Sequence, residues 1–501
     1  MIGKIATLSL FGIYAHTVTV EADIFSGLPY FGIVGLAEME VKEARERIRS
    51  AIRHSGYTFP MHRIIINLAP AGLRKESNSF DLPMACSILV ACGVIKPGIL
   101  EKYFILGELS LTGEVRPVRG IVSFLIEAKK QGRIVMLPRG NEAEAQSIGF
   151  ENYIPIDHLQ DIVHFSESRK EPKKGVVQDI IETNLVVIDF SEISGQSESK
   201  RALEIAAAGG HNIILSGSPG TGKSMLAKAL PGILPDLTTE EYIEVLQIYS
   251  SSSKNIKKII TKKRPFRAVH HTATQIAVVG GGKNLSAGEV TYAHNGVLFF
   301  DELPEFRSEV LEVLREPMEE RKITISRASG TMTFPSGFMF VAAQNPCPCG
   351  YYQDEQTDCS CSMAQVERYR RKISGPLLDR IDLFCKVSRV SLDEISKGNC
   401  GECSEDIRKR VATAREIQIS RKEKFQIVSS SNADLSHKDL QKIVKFDEGA
   451  KGLMHEMAEK KKLSTRGYVR LMKVSLTIAD LEGSEVIKKQ HVLEAFRYRR
   501  E

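Results

Sequence analysis

Over the first 165 residues the apolar positions recur with two different periods. Thr17, Val18, Thr19, Val20 and Glu21 alternate polar with apolar, as a half-buried strand does, and Ile64–Leu68 and Ile134–Leu137 read as further strands. Lys42–Ser55 places its apolar residues at helical spacing, and Pro83–Cys92 is a second helix candidate. Ser166–Gly175 (SESRKEPKKG) is polar, charged and interrupted by Pro172, so it reads as a linker. From about residue 185 the rhythm changes. The apolar strands Asn212–Ser216, Gly296–Phe300 and Phe338–Ala343 alternate with helical stretches, which implies a parallel sheet with helices packed around it. Beyond 390 the pattern is helical and charged, over Ser404–Lys422, Ser436–Phe446, Gly449–Lys462, Arg466–Glu482 and Lys488–Tyr498. The expected organisation is an α+β domain over 1–165, a linker over 166–184, an α/β domain over 185–390 and a helical domain over 391–501. A chain of 501 residues is long for one core, which agrees with that division.

Composition narrows the class only a little. Apolar content of 42% and charged content of 26% are those of a folded globular protein. The balance of 68 Lys and Arg against 62 Asp and Glu is mildly basic and names no partner. No apolar run reaches the roughly 20 residues of a membrane span, so no membrane partner is expected. Ile5–Ala15 after Lys4 has the length of a signal peptide, but no small-residue cleavage site follows and strand-like alternation continues instead. Nine irregularly spaced cysteines fit reduced thiols in the cytoplasm better than disulfides.

The chemistry is concentrated in the α/β segment. Gly217-Ser218-Pro219-Gly220-Thr221-Gly222-Lys223-Ser224 is a full P-loop pattern, preceded by a strand and followed by a helix-forming run. Its glycines let backbone N–H groups wrap the phosphates of ATP, Lys223 reaches the β- and γ-phosphates, and the Ser224 hydroxyl binds Mg²⁺. The buried strand Gly296–Phe300 ends in Asp301 and Glu302, placed to hold Mg²⁺ through water and to polarise the attacking water. A third strand ends at Gln344-Asn345, where Asn345 can orient that water. Arg380 lies between Asp379 and Asp382, and reads either as a surface ion pair or as an arginine finger on a neighbouring subunit's γ-phosphate. Arg466, at the start of a helix, can reach the same phosphate.

With these motifs assembled, the chain resembles the Mg-chelatase-like ComM/YifB family of bacterial AAA+ ATPases over essentially its whole length. The stretches that carry the resemblance are GLPYFGIVGLAEMEVKEARERIRSAI, GSPGTGKS, VLFFDELPEF, ISRASGTMTFPSGFMFVAAQNPCPCGYY, GPLLDRIDL and STRGYVRLMKVS. It implies an α/β P-loop AAA+ domain, preceded by an α+β domain similar to the Lon protease C-terminal fold and followed by a helical lid. It also implies a homo-oligomeric ring, a hexamer, acting on single-stranded or branched DNA through a central pore. Family members of the ComM type are similar to helicases that extend heteroduplex by branch migration during recombination in natural transformation. Residues 264–290, from Arg264 through His270 and His271 to the glycines at 280–282, resemble the helix-2 insert of this clade. Residues 322–337 read as a β-hairpin that would line the pore with Arg327 at its tip. Three basic clusters, Lys254–Arg264, Arg368–Lys372 and Arg497–Arg500, are candidates for phosphate contacts, and Tyr369 and Tyr498 offer rings for base stacking.

Two further motifs need weighing. Aligned with Lon proteases, the nucleophile position holds Asp81 and the lysine position holds Phe124, so proteolysis is not expected. Cys347, Cys349, Cys359 and Cys361 bring four thiols within fifteen residues, enough for a tetrahedral Zn²⁺ site, or else reduced loop cysteines. Cys400 and Cys403 form a lone pair of thiols without a second pair nearby, and His270 and His271 lack matched ligands and are expected to hydrogen-bond within the insert. The ATPase motifs leave open two other motor classes, a metal-chelatase subunit and a protein remodeller.

Overall fold

The computed structural model describes residues 2–35, 39–72, 78–170, 172–175, 188–252, 262–282, 285–327, 330–390 and 401–499, and the chain divides into two compact units. In the first unit, Tyr14–Phe25 alternates buried with exposed positions as its sequence predicts, and pairs antiparallel with both Gly3–Phe11 and Arg63–Ala69. Four shorter strands extend these three into a seven-stranded mixed sheet. Its order is Tyr30–Val34, Arg63–Ala69, Tyr14–Phe25, Gly3–Phe11, Tyr103–Ile105, Ile134–Pro138, Tyr153–Ile156. The helix Asp81–Ala91 is so apolar that it is buried along nearly all its length, and it lies directly on the sheet. Gly3 makes that approach possible, because a Cβ there would sit 2.0 Å from the Ser87 carbonyl oxygen.

The first unit also takes in the helix Thr239–Ser250, which the sequence pattern places inside the ATPase domain. Ser250 explains why this helix docks where it does. Its carbonyl accepts the Gly120 N–H at 2.7 Å and its hydroxyl the Val122 N–H at 3.3 Å, so it caps the start of the helix Ile121–Lys130. Gln247 adds a hydrogen bond to the Ile13 carbonyl at 2.8 Å. The helix Leu159–Ser168 runs three residues past the expected domain end.

The second unit is built on a five-stranded parallel sheet. Its strands in chain order are β1 (Ile213–Ser216), β2 (Phe266–Val269), β3 (Val297–Phe300), β4 (Met339–Gln344) and β5 (Leu383–Lys386), and the spatial order is β2-β3-β4-β1-β5. β3 is buried at every position, as a central parallel strand must be when helices cover both faces. β2 corrects one expectation. Residues 266–269 are the edge strand of the sheet and not part of an insert. The chain then forms the short helix Gln275–Val279 and a two-residue ladder of Gly280–Gly281 with Ser286–Ala287. The hairpin is present, with Lys322–Arg327 paired antiparallel to Gly330–Pro335.

The C-terminal helices Ser404–Phe425, His437–Ile443, Ala450–Lys460, Thr465–Leu481 and Lys489–Arg497 share one apolar core with β1, β3, β4 and β5. A buried polar chain crosses that core. His211, just ahead of β1, reaches Asp382 at 3.2 Å and Thr477 at 2.8 Å, and Asn432 joins Thr477 to Asp480, which pairs with Arg421. Tyr369 and Tyr498 are only 6% and 7% exposed, so these rings are core residues and not stacking surfaces. Most of the Lys254–Arg264 cluster lies outside the described residues, as does Arg500. No described helix is long and apolar enough to cross a membrane.

Within the first unit, the Asp81 carboxylate is almost fully buried and is paired with Arg47 at 2.8 and 3.2 Å. Burial pushes its pKa up to about 6 against the pull of Arg47. The folded state therefore binds the Asp81 proton more tightly than the unfolded chain, and this group's contribution to stability falls as pH rises toward about 6. Removing Arg47 leaves that charge uncompensated. The substitution Arg47→Ala is expected to lower stability by about 3 kcal/mol at neutral pH and by less near pH 5, measured by urea unfolding of the full chain.

Candidate nucleotide site

The register of the second sheet brings the polar strand ends to one edge. β1 pairs with β4 so that Ser216 lies opposite Gln344, and β3 pairs with β4 so that Phe300 lies opposite Ala342. The next residues along each strand, Gly217, Asp301 and Asn345, therefore emerge at the same carboxyl edge, with Asp301 level with Ala343, and this is the edge where open α/β sheets bind their ligands. The Gly217 N–H donates to the Gln344 carbonyl at 3.3 Å, which closes the gap between the two strand tips.

Between Gly217 and the helix Lys223–Ala229 the chain makes the tight loop its glycines predict. Gly220 and Gly222 take φ of 79° and 85°, in the left-handed region. Lys223 folds back over the loop and donates to the carbonyls of Gly217 and Ser218, both at 2.8 Å. Burial lowers its pKa while Asp301 pulls the other way. The Ser224 hydroxyl donates to Asp301 at 2.7 Å, so the two groups assigned to Mg²⁺ already face each other. Pro219 and Thr221 complete the loop, and the Thr221 hydroxyl bonds back to the Ser218 carbonyl at 3.0 Å.

Glu302 adopts a left-handed backbone (φ 53°) without being glycine. Such strain costs roughly 1–3 kcal/mol and tends to occur where function requires it. Its carboxylate stands 3.5 Å from His271 Nδ1. The sequence assigned His271 a hydrogen-bonding role in the insert, whereas the structure sets it at the end of β2 against Glu302. His270 stacks on it with ring centroids 4.3 Å apart and bonds to Thr272 at 2.8 Å.

The two arginines gather elsewhere. Arg380 donates to the Pro376 carbonyl at 2.7 Å and pairs with Glu319, and Arg466 approaches the same Glu319 at 3.7 Å. Among the described residues, these two bond to Glu319 and Pro376 and to no P-loop group. Asp382, two residues past Arg380, is held by His211 and faces Arg470 at 3.7 Å. The loop bearing Arg380 is thus fixed to the lid helix that carries Arg466. Glu319 was not singled out in the sequence, since nothing local distinguishes it from its acidic neighbours.

Beside the P-loop lies a cavity of about 540 Å³, lined by Ser218, Thr221, Asn345, Tyr352, Asp354 and Arg389 among others. Tyr352–Gln356 of the cysteine-rich loop form one wall. The sulfurs of Cys347, Cys349, Cys359 and Cys361 all lie within 4.8 Å of one another, with pairs at 3.3, 3.5 and 3.7 Å. A tetrahedral ion with metal–sulfur bonds of about 2.3 Å needs sulfurs about 3.8 Å apart, so the set fits zinc closely. The Tyr351 backbone N–H helps hold the Cys349 thiol down to about 5, while the contacts of Cys359 and Cys361 with Cys349 and Cys347 push those two thiols up. Cys403 instead bonds to Asp406 at 3.2 Å, and Cys400 is outside the described residues.

In the first unit, Asp81 is tied to Arg47 and to the Leu109 N–H, and Phe124 is fully buried. Neither residue is available as a nucleophile or a base.

Comparison with known proteins agrees with this geometry. The family model for magnesium chelatase subunit ChlI matches residues 189–395, the one for subunit ChlI of Mg-chelatase matches 20–141, and the one for the ChlI C-terminal region matches 401–499. The chain is 41% identical over 494 residues to the YifB protein of Escherichia coli, covering 98% of this chain and 96% of that one. It is 40% identical over 495 residues to competence protein ComM of Haemophilus influenzae, covering 97% and 95%. Similarity to the magnesium-chelatase 38 kDa subunit of Rhodobacter capsulatus is lower, 26% over 183 residues, covering 32% of this chain and 51% of that subunit. A P-loop paired with Asp301 at the edge of a parallel sheet, in a chain related to these proteins along nearly all its length, belongs to the Mg-chelatase-like ComM/YifB family of AAA+ ATPases.

Proposed function

We propose that this protein is an ATP-driven DNA motor of the branch-migration type, working as a homo-oligomeric ring, a hexamer, in the cytoplasm. The observation that carries this reading is the hairpin lying beside the ladder of the insert, with an exposed arginine between them. Arg327 lies exposed at the end of the hairpin, and its guanidinium would stand 3.7 Å from a Cβ on Gly281, in the ladder of the insert. An exposed arginine at the meeting point of two such loops suits a phosphate backbone. The near full-length similarity to a competence protein supports DNA as substrate. The ChlI family models match most of the chain, but the curated chelatase subunit itself is similar over only 32% of it, against 97% for the competence protein.

In this motor the P-loop N–H groups of Gly217–Gly222 wrap the phosphates of ATP, and Lys223 leaves the Gly217 and Ser218 carbonyls for the β- and γ-phosphates. Ser224 would hold Mg²⁺ directly and Asp301 would hold it through water, and the ion would neutralise charge on the phosphates. Glu302 polarises the attacking water, and Asn345 fixes its position. Arg380 and Arg466 exchange Glu319 for the γ-phosphate bound by the neighbouring subunit, which explains why they cluster away from their own P-loop. Cys347, Cys349, Cys359 and Cys361 hold Zn²⁺ as a structural ion.

Variants of this site should separate the roles. Glu302→Gln is expected to bind ATP at near wild-type affinity and to lose turnover by about a hundredfold or more, since a positioned base contributes about that much. Phosphate release within tenfold of wild type would contradict the role. Arg380→Ala subunits are expected to hydrolyse poorly alone and to regain activity when mixed with Lys223→Ala subunits. In the mixture, an intact Arg380 meets an intact Lys223 across some interfaces. Titration of one variant into the other, read by steady-state phosphate release, checks this, and a flat titration argues against a finger acting in trans.

A further inference from the structure

The four-thiol loop does more than lie near the nucleotide site. Between Cys349 and Cys359 the chain presses two residues against the P-loop. Gly350 takes φ of 88°, and a Cβ there would sit 2.5 Å from Pro219 Cδ, so only glycine allows this approach. Asp354, whose side chain is 5% exposed, turns one oxygen inward to the N–H groups of Gln356 and Thr357, each at 3.0 Å. Its other oxygen accepts the Ser218 hydroxyl and faces Arg389 at 3.4 Å. Arg389 in turn lies 5.6 Å from the Tyr351 ring centroid and donates to Gln356 and Thr357 at 3.3 and 3.4 Å. The Ser218 hydroxyl, hydrogen-bonded to Asp354, also lowers the pKa of that carboxyl.

This contact bears on ATP because Ser218 belongs to the loop whose backbone wraps the phosphates, and fixing that loop sets the point from which Lys223 moves to them. The Ser218 carbonyl, with that of Gly217, holds Lys223, the residue that must reach the phosphates. A chain of single contacts therefore runs from the thiols through Asp354 and Ser218 to Lys223. The loop from Cys347 to Cys361 contains no helix or strand. Its shape therefore rests on two short turns, Gly350 N–H to Cys347 O and Asp354 N–H to Tyr351 O, on ring contacts of Tyr351 and Tyr352, on the thiol cluster at its base and on the Asp354 contacts. Without an ion, four thiols in mutual contact offer weak hydrogen bonds at best, and any second thiolate is repelled by the first. An ion would remove that freedom, and with it the entropy cost of holding Asp354 on the P-loop.

We propose that a zinc ion held by Cys347, Cys349, Cys359 and Cys361 sets the P-loop for nucleotide by fixing Asp354 on Ser218. The proposal deepens the zinc assignment made above and rests on it. Asp354 is a positioning residue. It touches the loop that holds the phosphates and not the reacting atoms. Loss of the ion, by chelation or by oxidation of the thiols, therefore weakens ATP binding before it affects the chemical step.

The test compares affinity for a fluorescent ATP analogue in four proteins: wild type as purified, wild type stripped with a chelator, the stripped protein given zinc again, and Asp354→Ala. Elemental analysis runs on each. Expected are one zinc per chain as purified, and a loss of affinity of about tenfold on stripping, the equivalent of one charge-assisted hydrogen bond. Restored zinc should recover the affinity. Asp354→Ala should keep its zinc, lose a similar factor, and lose little more when stripped. Asp354→Asn, which keeps an acceptor for Ser218 but no charge for Arg389, should fall between the two. Zinc present but without influence on affinity would overturn the coupling and leave the metal assignment standing. Equal further loss on stripping Asp354→Ala would show that the ion acts by another route, and would also overturn it. Freshly purified protein without zinc would remove the metal assignment and this proposal together. Thermal melting of each variant separates loss of binding from loss of fold.

Discussion

The in-register parallel pairing of β1, β3 and β4 is the constraint on which the site depends. A parallel sheet sends every strand in the same direction, so the residues after each strand emerge at one edge. Because Ser216 lies opposite Gln344 and Phe300 opposite Ala342, the P-loop, the Asp301–Glu302 pair and Asn345 are delivered to one edge without any of them being close in sequence. A one-residue slip of β3 would turn Asp301 toward the opposite face and break its 2.7 Å bond with Ser224. The apolar runs that precede these residues are thus part of the site, since their burial sets the register.

A second constraint places the arginines. The lid helices share a core with the sheet, and the buried His211–Asp382 and His211–Thr477 contacts tie the start of β1, the Arg380 loop and the lid helix together. One helix end and one loop end then converge on Glu319. Glu319 closes the short helix Arg315–Glu320, which leads directly into the hairpin. The carboxylate that holds Arg380 and Arg466 is therefore three residues from the first hairpin strand. In the motor reading, a change in what those arginines touch is felt at the base of the element assigned to DNA.

The parts of this architecture that could be read in the sequence are those whose chemistry is contiguous. The P-loop is eight consecutive residues, and Asp301, Glu302 and Asn345 each terminate an apolar run that announces a buried strand. The hairpin alternates visibly, and the four thiols fall within one loop. The contacts made at a distance could not be read. Glu319 sits among similar acids and acquires meaning only from two arginines 61 and 147 residues away, and Asp354 from a serine 136 residues earlier. Tyr369 and Tyr498 look like exposed aromatics among basic residues, yet both rings are buried. Short arginine-rich stretches on a helix cannot show which face the ring occupies. The helix Thr239–Ser250 has an ordinary amphipathic pattern, and its docking partner depends on a cap at Ser250 that involves Gly120 and Val122. The strand β2 is only four residues long, with two polar positions nearby, so it merged into the glycine-rich stretch beyond it.

The ATPase core is shared by motors that act on different substrates, and the substrate is the central claim. The steady-state ATPase rate, measured with and without single-stranded and branched DNA at low and at high salt, tests it most directly. A DNA motor should show clear stimulation by DNA that declines as salt rises, because contacts such as Arg327 to phosphate release counterions that added salt then disfavours. An ATPase rate unchanged by any DNA at either salt, with no DNA binding, would contradict the motor reading and leave an ATPase of this family acting on something else.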